Sequence, residues 1–143
     1  METSPRKLLR MVALLGLGLA LGACASAGRQ AGKPYLAVAG ADGVQRVSVV
    51  GGNYYFEPSR ILVRANVPVE LTLRKEGWLM PHEFILSAPE AGIDVAESLS
   101  TEPRIARFTP THAGIFPFYC GKRLLLFPSH RDQGMAGVLE VLP

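Results

Sequence analysis

From Val44 to the end, the chain is written in short β-branched or alternating runs, each stopped by a turn residue, and no stretch keeps a helical period. Val47-Ser48-Val49-Val50 halts at Gly51-Gly52-Asn53, Ile61-Leu62-Val63 at Ala65-Asn66, and Val69-Glu70-Leu71-Thr72-Leu73 alternates with period two. Glu83-Phe84-Ile85-Leu86, Arg104-Ile105-Ala106-Arg107-Phe108, Phe116-Pro117-Phe118-Tyr119 and Gly137-Val138-Leu139-Glu140-Val141 continue the same rhythm. Alternation of this kind gives a strand one face to bury and one to leave in water. A short helix is offered only by residues 92–100. Seven to eight strands so spaced predict an all-β sandwich.

The N-terminus has a different character. Arg6, Lys7 and Arg10 precede an apolar, glycine-broken run over residues 8–21, followed by Leu21-Gly22-Ala23-Cys24. The run is short for a bilayer span of about 20 residues and reads as an export signal. The small residues before Cys24 resemble the lipobox of bacterial lipoproteins, which implies that Cys24 is lipidated and becomes the first mature residue; the alternative is a plain signal with an incidental cysteine. The expected organisation is a lipoprotein signal peptide at 1–23, a lipidated N-terminus and flexible tether at 24–43 with at most one short strand around Tyr35-Leu36-Ala37-Val38, and one domain at 44–143. The protein is then exported and membrane-anchored, facing the periplasm or cell exterior.

Removing the signal leaves 120 residues, about one domain, with 12 basic and 11 acidic side chains. No basic block remains to argue for nucleic acid. If Cys24 is lipidated, Cys120 is alone in an oxidising compartment, where an unpaired thiol is either buried and inert or occupied, for instance by a metal.

The stretch FYCGKRLLLFPSHRDQGM, residues 118–135, gathers Cys120, His130 and Met135 on one segment. Thiolate and thioether are soft donors that suit copper, and imidazole accompanies them in sites of two histidines, one cysteine and a weak methionine. His82, just before an apolar strand, is the candidate for the second histidine. His112 reads as a polar turn residue, and Met80 as packing or as a substitute for Met135. Between the donors, Leu124-Leu125-Leu126-Phe127 has two readings: tucked into the core, or an exposed contact surface that Trp78 extends while also shielding the metal.

These features in order, Phe56-Glu57-Pro58, then Pro81-His82, then Phe108-Thr109 with Ala113-Gly114 and Phe116-Pro117-Phe118-Tyr119-Cys120, then His130 and Met135-Ala136-Gly137-Val138, resemble the plastocyanin-like branch of the cupredoxin family. The resemblance covers residues 44–143. It implies a Greek-key β-sandwich with one copper per chain, nitrogen ligands His82 and His130, thiolate Cys120 and axial Met135. Two departures stand out. Nine residues separate Cys120 from His130, where the family has two to four. Glu83 replaces the asparagine that usually follows the first histidine; it is read as an ion pair with Lys122 or Arg123, the alternatives being a solvated carboxylate or a metal ligand.

The resemblance implies a one-electron carrier without a substrate, with His130 facing the partner and Trp78, Met80, Leu125 and Phe127 around the contact. The partner is a redox protein such as a cytochrome or terminal oxidase, and the carrier a monomer. Copper storage, buffering or delivery to an oxidase is the alternative. An enzyme is disfavoured, because three histidines are too few for further copper sites and no orienting residue completes a Cys–His nucleophile. A binuclear centre would want a second cysteine in residues 121–129.

Overall fold

The computed structural model describes residues 32–143. The expected signal peptide, Cys24 and the first part of the expected tether lie outside the described residues. Two sheets pack face to face. The larger has the order β1-β4-β10-β9-β6-β7, formed by Tyr35–Leu36, Arg60–Arg64, Ala136–Leu142, Gly114–Tyr119, His82–Ala88 and Ile93–Leu99. The smaller runs β3-β2-β5-β8, formed by Tyr55–Glu57, Gln45–Gly52, Val69–Lys75 and Arg104–Phe108. Neighbours in each sheet are mostly distant in sequence. β10 lies parallel to β4 and antiparallel to β9, while β2 lies parallel to β5. The chain thus crosses between the sheets repeatedly, in the Greek-key manner expected.

Each expected strand is present, and the described residues form ten because two very short ones complete the edges of the sandwich. β1 pairs with β4 and places Ala37 in the core, so the sheet reaches into the segment assigned to the tether. β3 pairs with the end of β2. One expectation is corrected: residues 92–100 form no helix. Ile93, Val95 and Leu99 are buried and Asp94, Ala96 and Ser98 exposed, a period of two that pairs along the whole of β6 as β7. The only helical turn nearby is a 3-10 turn at Pro89–Ala91.

Period two also positions the site. On β6 it turns His82, Phe84 and Leu86 inward, and on β9 it turns Phe118 inward with Cys120 following in phase. Phe84 stacks on Phe118 with centroids 4.9 Å apart, and Phe56 meets both rings edge-on at 5.4 and 5.5 Å. Such aromatic contacts add to a large hydrophobic contribution from burial. This cluster is the floor on which the polar residues at one pole of the sandwich stand.

Candidate metal centre

Three elements converge at that pole. His82 opens β6, Cys120 directly follows β9, and His130 lies on the segment returning to β10. Their exposures are 2%, 0% and 1%. One ligand atom from each lies within 4.8 Å of the others. The Nδ1 atoms of His82 and His130 are 3.1 Å apart, and Cys120 Sγ is 3.5 Å from His130 Nδ1. Metal–nitrogen bonds of about 2.0 Å and metal–sulfur bonds of about 2.3 Å in a tetrahedral arrangement give edges of roughly 3.3 and 3.5 Å. The observed spacings therefore suit three donors on one ion. The set of two imidazoles and a thiol is nitrogen and sulfur only, which is the chemistry that copper favours.

The long insertion does not pull His130 away, because the loop is closed at its neck. His130 N–H donates to the Lys122 carbonyl at 2.8 Å, so the intervening residues leave and return at nearly the same place. Beyond His130, Ser129 and Asp132 exchange hydrogen bonds and Gln133 N–H donates to the Ser129 carbonyl, forming a tight turn. Met135 N–H then donates to the His130 carbonyl at 2.9 Å, and the Met135 carbonyl accepts from Cys120 N–H at 3.0 Å. Met135 is fully buried, and its methyl group lies against Gly51, where an added Cβ would stand 3.1 Å from Met135 Cε.

Charge and desolvation act on each donor. Burial, then the neighbouring His130 and Lys75, lowers the His82 pKa to about 4. Burial also lowers that of His130, against an opposing pull from Glu83. Burial pushes the Cys120 thiol up, while the amide N–H groups of Glu83 and Lys122 draw it back down. The Glu83 amide lies 3.4 Å from Sγ. Hydrogen bonds to a thiolate favour its charged form. The imidazoles are consequently neutral at pH 7, the form in which they ligate.

Glu83 is engaged as expected: its carboxylate pairs with Lys122 Nζ at 3.0 Å, tying β6 to the start of the insertion. His112 sits in an exposed turn bonded to Thr111, apart from the cluster. The tucked reading of the apolar insertion is overturned. Leu125 is 84% exposed, Leu126 fully so, and Leu124 and Phe127 also face solvent, because a turn closed by Phe127 N–H on the Leu124 carbonyl lifts them off the sandwich. Trp78 is 83% exposed, so it does not shield the buried donors. Leu126→Ser should accordingly change the unfolding free energy by less than about 0.5 kcal/mol in urea denaturation; a larger loss would show that the turn packs on the domain.

Two residues at the site were missed in the sequence. Tyr54 meets the His130 ring edge-on at 5.1 Å from a left-handed backbone position with φ 62°. Its signal was the Gly51-Gly52-Asn53 turn before it. Lys75, on the inward phase of β5, bonds the carbonyls of the segment leading to His82.

Two sheets of this connectivity, with a histidine, a cysteine and a second histidine converging at one pole, define a cupredoxin-like fold. Solved structures agree. The metal-binding domain of the Cu(I)-exporting P-type ATPase CopA of Streptococcus pneumoniae D39 superposes with a TM-score of 0.59 at 18% identity, over 78% of this chain and 97% of that one. Reduced auracyanin from Roseiflexus castenholzii gives 0.54 at 17% identity, over 68% and 97%. In sequence, the chain is 34% identical over 111 residues to the copper-resistant cuproprotein CopI of Pseudomonas aeruginosa, a match covering 75% of this chain and 59% of that relative. The chain thus spans somewhat over half the length of that relative. No protein-family model matches. Among the described residues no helix is long and apolar enough to cross a membrane.

Proposed function

We propose that the protein binds one copper ion through His82, Cys120, His130 and Met135 and acts as a one-electron carrier outside the cytoplasmic membrane. The observation that carries this reading is the convergence of three fully buried donor atoms within 4.8 Å of one another. Bound copper would supply a one-electron couple. The chain's part is to hold the donors so that little moves between the two states: strands β6 and β9 fix His82 and Cys120, and paired backbone bonds fix His130 and Met135. Met135 would supply a thioether to the same ion, being buried and bonded through its backbone to both His130 and Cys120. The exposed leucines and Phe127, together with Trp78, supply an apolar contact surface for a redox protein such as a cytochrome or oxidase. Lipidation of Cys24 would hold a monomeric carrier at the membrane.

A second reading, copper handling by storage or delivery, is favoured by the names of two similar proteins, a copper-resistance protein and a copper exporter's domain. One experiment separates the two. The purified full chain is titrated with copper(II) and followed by visible absorption and EPR, then cycled between reductant and oxidant beside a copper(I) chelator. One equivalent with an intense thiolate-to-copper band that survives cycling supports the carrier. Loss of copper to the chelator on first reduction, or copper bound without the band, supports handling, and a chain that retains no copper of either oxidation state rejects the metal centre.

A further inference from the structure

The last residue of β5 carries a charge into the sandwich. Along Val69–Lys75 the inward phase reads Val69, Leu71, Leu73 and Lys75, and Lys75 keeps that phase, with only 9% of its surface exposed. An ammonium is costly to bury unless it is hydrogen-bonded or paired. Among the described residues no carboxylate pairs with it. Its Nζ instead donates to the Met80 carbonyl at 2.6 Å and the Trp78 carbonyl at 3.4 Å. Both carbonyls belong to the short segment that delivers His82 to the site.

The backbone of Lys75 is fixed on both sides by residues that adjoin donors. Its N–H donates to the Ser100 carbonyl at 2.8 Å, and the preceding Leu99 is the register partner of His82. On the other side its register partner is Gly51, which backs onto the Met135 methyl. The charge stands close to the donors, since Nζ is held on the carbonyl of Met80, two residues before His82. Glu83 and Lys122 pair with each other at 3.0 Å, and Asp132 stands among Arg123 and Arg131 on the exposed face of the His130 loop.

We propose that Lys75 is a positioning residue of the metal centre, one that anchors residues 78–80 through two carbonyls and sets an uncompensated positive charge beside His82, favouring the lower oxidation state of bound copper. The inference rests on the copper reading above. Reduction of copper(II) to copper(I) adds one electron and removes one positive charge from the ion, so a fixed cation nearby is less unfavourable to the reduced form.

The test is a potentiometric titration of the copper-loaded full chain, with a mediator supplying the electron, for wild type, Lys75→Arg, Lys75→Gln and Lys75→Met. The Gln and Met variants should lower the ratio of copper(I) to copper(II) affinity roughly tenfold, the scale of one unit charge acting through a partly buried region. For a one-electron couple that is a fall of about 59 mV. Lys75→Arg, which keeps the charge, should stay close to wild type. Unchanged potentials in the Gln and Met variants, or an Arg variant as low as the Met variant, would overturn the proposal. Should Lys75→Met fail to fold, the Gln and Arg pair decides, since Gln retains a donor for the carbonyls. A wild type that takes up no copper removes this inference together with the metal centre, whereas copper binding with a potential indifferent to residue 75 rejects this inference alone.

Discussion

Replacing Cys120 with serine is expected to abolish the intense thiolate-to-copper absorption while leaving the β-sandwich folded. The expectation follows from where the sulfur stands. Cys120 is fully buried, its Sγ lies 3.5 Å from His130 Nδ1, and the Glu83 amide points at it from 3.4 Å. A hydroxyl in that place is a hard donor that does not ionise near neutrality, so it cannot supply the soft anionic ligand that copper favours. The copper affinity should fall by more than the ~10–100-fold typical of removing a group that merely supports a ligand. The fold should survive, because Phe84 and Phe118 below the site are untouched and the change nearly preserves shape. Copper titration followed by absorption, with circular dichroism and thermal melting as controls, checks both halves. A band that persists in the folded variant would mean that the sulfur is not a ligand.

The sandwich was legible because its strands alternate, and alternation is a local property. Residues 92–100 were misread for the same reason that the rest were read well. Aspartate and alanine at exposed positions, and a half-buried glutamate on the inward phase at Glu97, weaken the strand signal of Ile93, Val95 and Leu99, and it is pairing with β6 that decides the outcome. β1 and β3 are too short to display any period. At the site, His82, Cys120 and His130 were recognisable by donor chemistry. What the linear sequence hid was how nine intervening residues still allow contact, because the answer is one backbone bond from His130 to Lys122. Exposure of the apolar insertion was likewise undecided by composition, since four apolar residues suit a core or a surface equally well. Lys75 was hidden differently: it continues the inward alternation of Val69, Leu71 and Leu73, but a lysine at a strand end ordinarily reads as a solvated terminus.

The metal-free protein should lose stability as the pH falls from about 6.5 to about 4. In the folded chain burial, His130 and Lys75 hold the His82 pKa at about 4, while an unfolded chain restores the ordinary value near 6.5. Between those values the unfolded chain binds a proton that the folded chain refuses. Unfolding is then favoured by acid, and the stability present above pH 6.5 is progressively lost toward pH 4. The gap, at 1.36 kcal/mol per pH unit, amounts to roughly 3 kcal/mol, or about two orders of magnitude in the folding equilibrium. His130, lowered by the same burial, acts in the same direction. Asp42 and Asp132 also have lowered pKa values, but carboxylates of that kind lose their contribution only below their unfolded value of 3.8, under the window in question. Urea denaturation of the metal-free chain at several pH values, beside His82→Gln, isolates the histidine. The wild type should weaken steeply through the window and the variant much less. Equal slopes would place the acid sensitivity elsewhere, while the expected difference would show that the imidazole is held neutral by the fold before any metal arrives, so that binding copper needs no deprotonation of His82 at pH 7.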